Sequence, residues 1–99
     1  MIKHIVLWKL AGSAEGADKA ANAGKMKKMV DSLKEKIPEI LSSEVGINCN
    51  ERESYDVALY AEFRDLEALN RYQNHPAHKQ VVEFIRKVRT DRAAMDYEI

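Results

Sequence analysis

The segment "IKHIVLWKL", Ile2 to Leu10, carries large apolar residues on both of its alternating faces. Its β-branched and aromatic content reads as a strand, closed by Ala11-Gly12-Ser13. Ile2, His4, Val6, Trp8 and Leu10 share one face, and Lys3, Ile5, Leu7 and Lys9 share the other. A strand apolar on both sides needs cover on both sides. A chain of 99 residues makes a single domain, 1–99, with much surface relative to its core. Pairing with a second copy would help to cover what one layer of helices leaves bare.

The remaining segments supply the first layer. Ser13 to Lys36 reads as a helix with Ser13 as N-cap and Glu15 and Asp18 near the positive end of its dipole. Met26, Met29, Val30, Leu33 and Ile37 recur at helical spacing, and Pro38 stops the run. The Ala-rich first half, with Gly16 and Gly24, predicts a looser or later start. Ile40 to Asn50 reads as a second strand, with Ser43, Val45, Ile47 and Cys49 on one face and Cys49 therefore buried or half-buried. After the polar turn Asn50 to Ser54, Tyr55 to Phe63 reads as a third strand. Asp65 can cap a short helix striped by Leu66, Leu69 and Tyr72. Pro76 suits the first turn of another, striped by Val81, Val82, Ile85 and Val88. Ala93 to Ile99 closes the chain as a strand, with Ala93, Met95, Tyr97 and Ile99 on one face.

The order strand, helix, strand, strand, helix pair, strand is that of the split βαβ unit. It predicts an α+β, ferredoxin-like fold: a four-stranded antiparallel sheet with helices on one face. The uncovered face predicts a homodimer that packs sheet against sheet.

Charge narrows the partners. Lys+Arg and Asp+Glu are 16 each, which argues against nucleic acid as the main partner and against a polybasic membrane surface. The lysines from Lys25 to Lys36 alternate with Asp31 and Glu35, as on a solvated helix face. Cys49 is the single cysteine, so no intramolecular disulfide can form. Ile5 to Trp8 is too short for a signal-peptide core, and no stretch approaches a membrane span. The expected setting is cytoplasmic.

The chemistry concentrates in "YQNHPAHKQVV", Tyr72 to Val82. Asn74 or His75 can cap the helix that Pro76 begins. His78 precedes Val81 by three residues and Ile85 by seven, so it shares their inward face. An imidazole there can take a proton near neutral pH. The plainer reading is a histidine satisfied by a neighbouring carbonyl or tyrosine. A metal held by His4, His75 and His78 lacks a well-placed carboxylate, and a cap histidine points differently from one inside the helix. No metal and no cofactor is expected. Trp8 shares the His4 face, as core or as a pocket wall.

The stretches "IKHIVLWKL", "YDVALYAEFRDLEALNRYQNHPAHKQVVEFI" and "MDYEI" resemble the stress-responsive α/β-barrel (Dabb) family over nearly the whole chain. The family consists of small homodimers that form dimeric α+β barrels, many without a known activity, and includes plant stress proteins and a polyketide cyclase. The resemblance implies a ligand pocket between helices and sheet, lined by His4, Trp8, Val30, Val57, Tyr72 and His78. Tyr72 and His78 match the cyclase's catalytic pair, and His4 matches a pocket histidine. The chain departs from the cyclase at Val57, where a strand histidine would stand, and near Val30, where a helix tyrosine would stand. It therefore implies a more apolar pocket. Some relatives hold a cation on backbone carbonyls where the first helix ends; the matching stretch here is Lys34, Ile37 and Ile40. The implied function is binding of a small apolar or carbonyl-containing ligand. The alternatives are an enzyme, cyclase-like or another lyase or isomerase, with His78 as general base, and a structural stress-response protein without catalysis.

Overall fold

In the computed structural model, which describes residues 1–99, strand β1 spans Ile2–Leu10 and alternates between buried and half-buried residues along its length. Its buried side chains are Ile2, His4, Val6, Trp8 and Leu10. The predicted first helix begins later than its Ser13 cap. Ser13–Ala14 (β2) and Ala17–Asp18 (β3) form a small hairpin instead. Glu15 and Gly16 turn it with φ of 52° and 74°, the double positive φ that a tight two-residue hairpin requires. Ser13 is thus paired with Asp18, and Asp18 becomes the cap, accepting the Ala21 N–H at 2.8 Å. Buried Asn22 donates to the carbonyls of Ala14 and Ala17, at 3.0 and 3.4 Å, and ties the hairpin to the helix.

Helix α1, Lys19–Lys36, buries Ala23, Met26, Val30 and Leu33, with Met29 half-buried beside them. Ile37 ends it by donating to the Leu33 carbonyl, and Pro38 bars continuation. Strand β4 covers only Ser42–Ile47. Asn48 bends the chain by accepting the Asn50 N–H through its side-chain oxygen at 2.7 Å, so Cys49 lies beyond the strand and is exposed. Ile47 is also largely exposed, which leaves Val45 as the buried residue of β4.

Strand β5 is Val57–Phe63, with Val57, Leu59, Ala61 and Phe63 buried. Tyr55 lies ahead of it because Asp56 is drawn aside. Its N–H donates to the Trp8 carbonyl and its carboxylate accepts the Leu10 N–H, both at 2.8 Å. Helix α2, Leu66–Asn74, is capped by Asp65, which accepts the Ala68 N–H. That hydrogen bond holds the Asp65 carboxyl below its ordinary range. Leu66, at the first position of α2, points outward; Ala68, Leu69 and Tyr72 form the buried side. Helix α3 is Pro76–Val88, and β6, Arg89–Glu98, follows with no intervening loop. β6 begins earlier than the predicted Ala93 because Arg89 closes α3 and enters the sheet at once.

The sheet order is β4-β5-β1-β6, all antiparallel, with the helices on one face: a ferredoxin-like α+β fold. The core lies between the helices and the inner faces of β1 and β5. On the other face Ile5 pairs with Tyr60 and Met95, and Leu7 with Ala58 and Ala93. Tyr60, Met95 and Tyr97 stand exposed there. Lys3, ion-paired with Glu62, edges this apolar patch. No helix is long and apolar enough to cross a membrane.

Candidate functional site

A cavity of about 540 Å³ lies between the inner sheet face and α3. Its floor is the exchange of side chains from β1 and β5: His4, Val6, Trp8 and Leu59. Val30 and Leu33 of α1 form one wall. Val81, Val82 and Ile85, the stripe of α3, form the roof. Tyr72 and His78 close one end. Five of the six pocket residues implied by sequence resemblance therefore meet at this cavity. Val57 does not: it is buried in the core near the far end of β1, opposite Trp8.

The "HPAH" run resolves into two roles. His75 is at once the last cap of α2 and the N-cap of α3. Its Nδ1 accepts the Ala77 N–H at 3.0 Å, so the ring proton sits on Nε2. Asn74 takes no part in capping; its amide donates to the Asn70 carbonyl. His78 carries the opposite tautomer. Its Nδ1 donates to the Gln73 carbonyl at 3.2 Å, which leaves Nε2 with the free lone pair. Burial is the main reason its imidazole is held below the ordinary 6.5, helped by the charge of Arg92 and by the other two histidines. His78 is thus neutral at pH 7 and able to accept a proton or hydrogen bond.

Tyr72 touches His78 ring to ring, with centroids 4.4 Å apart and planes inclined at 54°, rather than through the hydrogen bond expected from sequence. No protein group bonds its hydroxyl, yet no fully buried polar atom lacks a partner, so the hydroxyl opens onto the cavity. Burial raises this phenol to about 12, and it remains a donor at neutral pH. Phe63 and His4 also pack near the Tyr72 ring, at centroid distances of 4.8 and 6.2 Å.

His4 is buried, and its Nδ1 donates to Asp96 Oδ1 at 2.5 Å. The two are register partners on β1 and β6. A carboxylate on Nδ1 fixes the tautomer, so a neutral His4 presents an unprotonated Nε2. Sequence reasoning missed Asp96. The apolar pattern of the last strand, Ala93, Met95, Tyr97 and Ile99, lies on its other face. The alternate residues Arg92, Ala94 and Asp96 are those that share the inner side with His4, Val6 and Trp8.

No three His, Cys, Asp or Glu side chains lie together in a way that would hold a metal. At the end of α1 the Ile37 carbonyl accepts the Ile40 N–H at 3.2 Å, and so serves the turn after the helix.

The model of the Stress responsive A/B Barrel Domain, Dabb, matches residues 2–99. The chain belongs to the Dabb family. No curated protein matches it. Among solved structures, this Dabb domain is similar to a dimeric protein of unknown function and ferredoxin-like fold from Bacteroides fragilis. The identity is 35%, the alignment covers 99% of this chain and 95% of that one, and the TM-score is 0.90. A dimeric ferredoxin-like protein of unknown function from Thermobifida fusca is 22% identical, with coverage of 99% and 90% and a TM-score of 0.84. The hydroxynitrile lyase of Passiflora edulis shares the fold at 12% identity, with coverage of 99% and 92% and a TM-score of 0.82. The fold of this chain is thus shared by dimeric proteins of unknown function and by a hydroxynitrile lyase.

Proposed function

We propose that this Dabb domain is a homodimeric protein that binds a small, largely apolar, carbonyl-containing molecule between α3 and the sheet. The cavity carries the reading. Its volume of about 540 Å³ falls within the range of small-molecule sites, roughly 300–1,000 Å³. Aliphatic walls from Val6, Val30, Leu33, Val81 and Ile85 suit an apolar body. The Tyr72 hydroxyl is an unengaged donor for a carbonyl oxygen, and Nε2 of His78 is an acceptor beside it. A purely structural domain gains nothing from a polar pair left facing a void.

The dimer follows from the outer sheet face, where Ile5, Leu7, Tyr60 and Met95 form an apolar patch across three strands. Two such faces packed together would cover it and form the barrel, and the dimeric relative from Bacteroides fragilis supports that assembly. A single exposed thiol at Cys49 suits the reducing cytoplasm.

One observation favours a second, catalytic reading. A neutral His78 beside a protonated Tyr72 is the pairing that removes a proton next to a carbonyl while donating to its oxygen. A lyase of the same fold is consistent with it.

Binding is tested with N-phenyl-1-naphthylamine, a neutral fluorophore that brightens in apolar sites. Saturable binding is expected, and Val82→Trp, at the half-buried edge of the roof, should abolish it by filling the cavity. Absence of binding to the folded wild-type protein, or binding unaltered by Val82→Trp, rejects the cavity as a ligand site.

A further inference from the structure

We infer that the ligand carries an oxyanion head, which Arg89 and Arg92 hold at the mouth of the cavity; this rests on the cavity being a ligand site. The chain is neutral overall, with 16 basic and 16 acidic residues, but the cavity lining is not. Lys79, Arg86, Arg89 and Arg92 contribute to it, against Glu83 alone among carboxylates. None of the four cations takes part in any ion pair of the fold. Asp96, the acidic residue on the inner face of β6, is engaged with His4, and Asp91, between the two arginines in the chain, pairs with Lys9 on the outer face, where its carboxylate accepts from the Tyr55 hydroxyl.

The backbone places two of these cations deliberately. β1 and β6 pair residue for residue from Ile2↔Glu98 to Lys9↔Asp91, then the register shifts and Leu10 faces Arg89. Thr90 has no partner on β1. A regular strand would put residues 90 and 92 on the inner face. The extra residue turns Arg89 inward instead, so two arginines three positions apart share the face that carries Trp8 and Leu10. Arg89 is also the residue that closes α3, which fixes its backbone from both sides. Arg86 lies one turn earlier on α3 at the same mouth. Arg92 is close enough that its charge disfavours protonation of His78.

Unpaired like charges gathered at the rim of an apolar cavity repel one another, and an anion relieves that repulsion. Guanidinium groups match the planar fork of a carboxylate or the oxygens of a phosphate. The ligand class is therefore an apolar body with a carboxylate or phosphate at one end. The body, with its carbonyl, enters toward Tyr72 and His78, and the head stays with Arg89 and Arg92 on the β6 side.

The test compares 2-naphthoate, 2-naphthyl phosphate and the neutral 2-naphthamide by calorimetry on the whole protein. At low salt at least one of the two anions should bind about tenfold tighter than the amide, as charge-assisted hydrogen bonds allow, and the preference should shrink as salt is raised. The tighter of the two anions identifies the head as carboxylate or phosphate. The Arg89→Gln/Arg92→Gln double variant should lose the preference yet still bind 2-naphthamide, which shows that it is folded with its cavity intact. Equal affinity of all three probes for the wild-type protein overturns the oxyanion site and leaves the cavity reading standing. So does a preference that survives in the double variant. Failure of all three probes together with N-phenyl-1-naphthylamine rejects the cavity reading itself.

Discussion

His4 and Asp96 face each other across adjacent antiparallel strands, with Nδ1 of the histidine 2.5 Å from Oδ1 of the carboxylate. This hydrogen bond satisfies a buried imidazole N–H on a floor otherwise made of apolar side chains. Asp96→Ala leaves that donor without a partner and should destabilise the protein by about 1–3 kcal/mol. Asp96→Asn keeps an oxygen acceptor and should lose less. Urea denaturation of the three proteins checks the order, and equal midpoints for all three would show that the contact contributes nothing.

Acid should act through His78. Its folded-state imidazole lies below the ordinary 6.5, mainly because it is buried, so the unfolded chain binds the proton first. The stability tied to its neutral form is complete above the unfolded value. It is lost as pH falls through 6.5 toward the folded value. His78→Gln removes this titration. The Tm of the wild type should therefore drop more than that of the variant between pH 7 and pH 5, and parallel curves refute the assignment.

A second acid limb belongs to Glu62, on the outer face. Lys3 first, then Ser42 and Tyr60, stabilise its carboxylate and hold it at about 2 against an ordinary 4.5. A depressed carboxyl stabilises the fold above the unfolded value and loses that effect as pH falls from about 4.5 to about 2. Glu62→Gln should flatten the stability profile in that window and leave the region near pH 6 unchanged. The group is near the surface, so moderate salt should weaken the difference.

Met95 tests the dimer. It is 60% exposed on the apolar outer face, at the edge strand β6. Met95→Glu should leave the fold of the single chain intact while burying a charge in a sheet-against-sheet interface. Sedimentation velocity should show a dimer for the wild type and a shift toward monomer for the variant. A wild-type monomer at micromolar concentration would remove the barrel assembly.

Much of this was legible in the sequence because period and punctuation are local. The alternation in Ile2–Leu10, the stripe Met26–Val30–Leu33–Ile37 and the cap at Asp65 all appear as the spacing predicts. So does His75-Pro76 as the start of α3, since a missing N–H is harmless there. The first helix begins late, as its Ala- and Gly-rich first half predicts, but its cap is Asp18 and not Ser13, because Glu15-Gly16 encodes a hairpin turn through two positive φ angles. Cys49 was misplaced because an Asn48 side chain outcompetes the ladder and ends β4 early.

The sequence by itself determined the element order, the two-faced first strand and the candidate pair Tyr72 and His78, because each follows from residues close together in the chain. Only the tertiary structure decided what those residues meet. Pairing β1 with β6 brought Asp96 to His4 across the whole length of the chain, and a one-residue register shift turned Arg89 toward the same side as Arg92. Strand register is a collective property of two distant segments, and a single unpaired residue reverses which face a side chain occupies. No local pattern records that choice, so the acidic partner of His4 and the cationic mouth emerge only once the sheet is assembled.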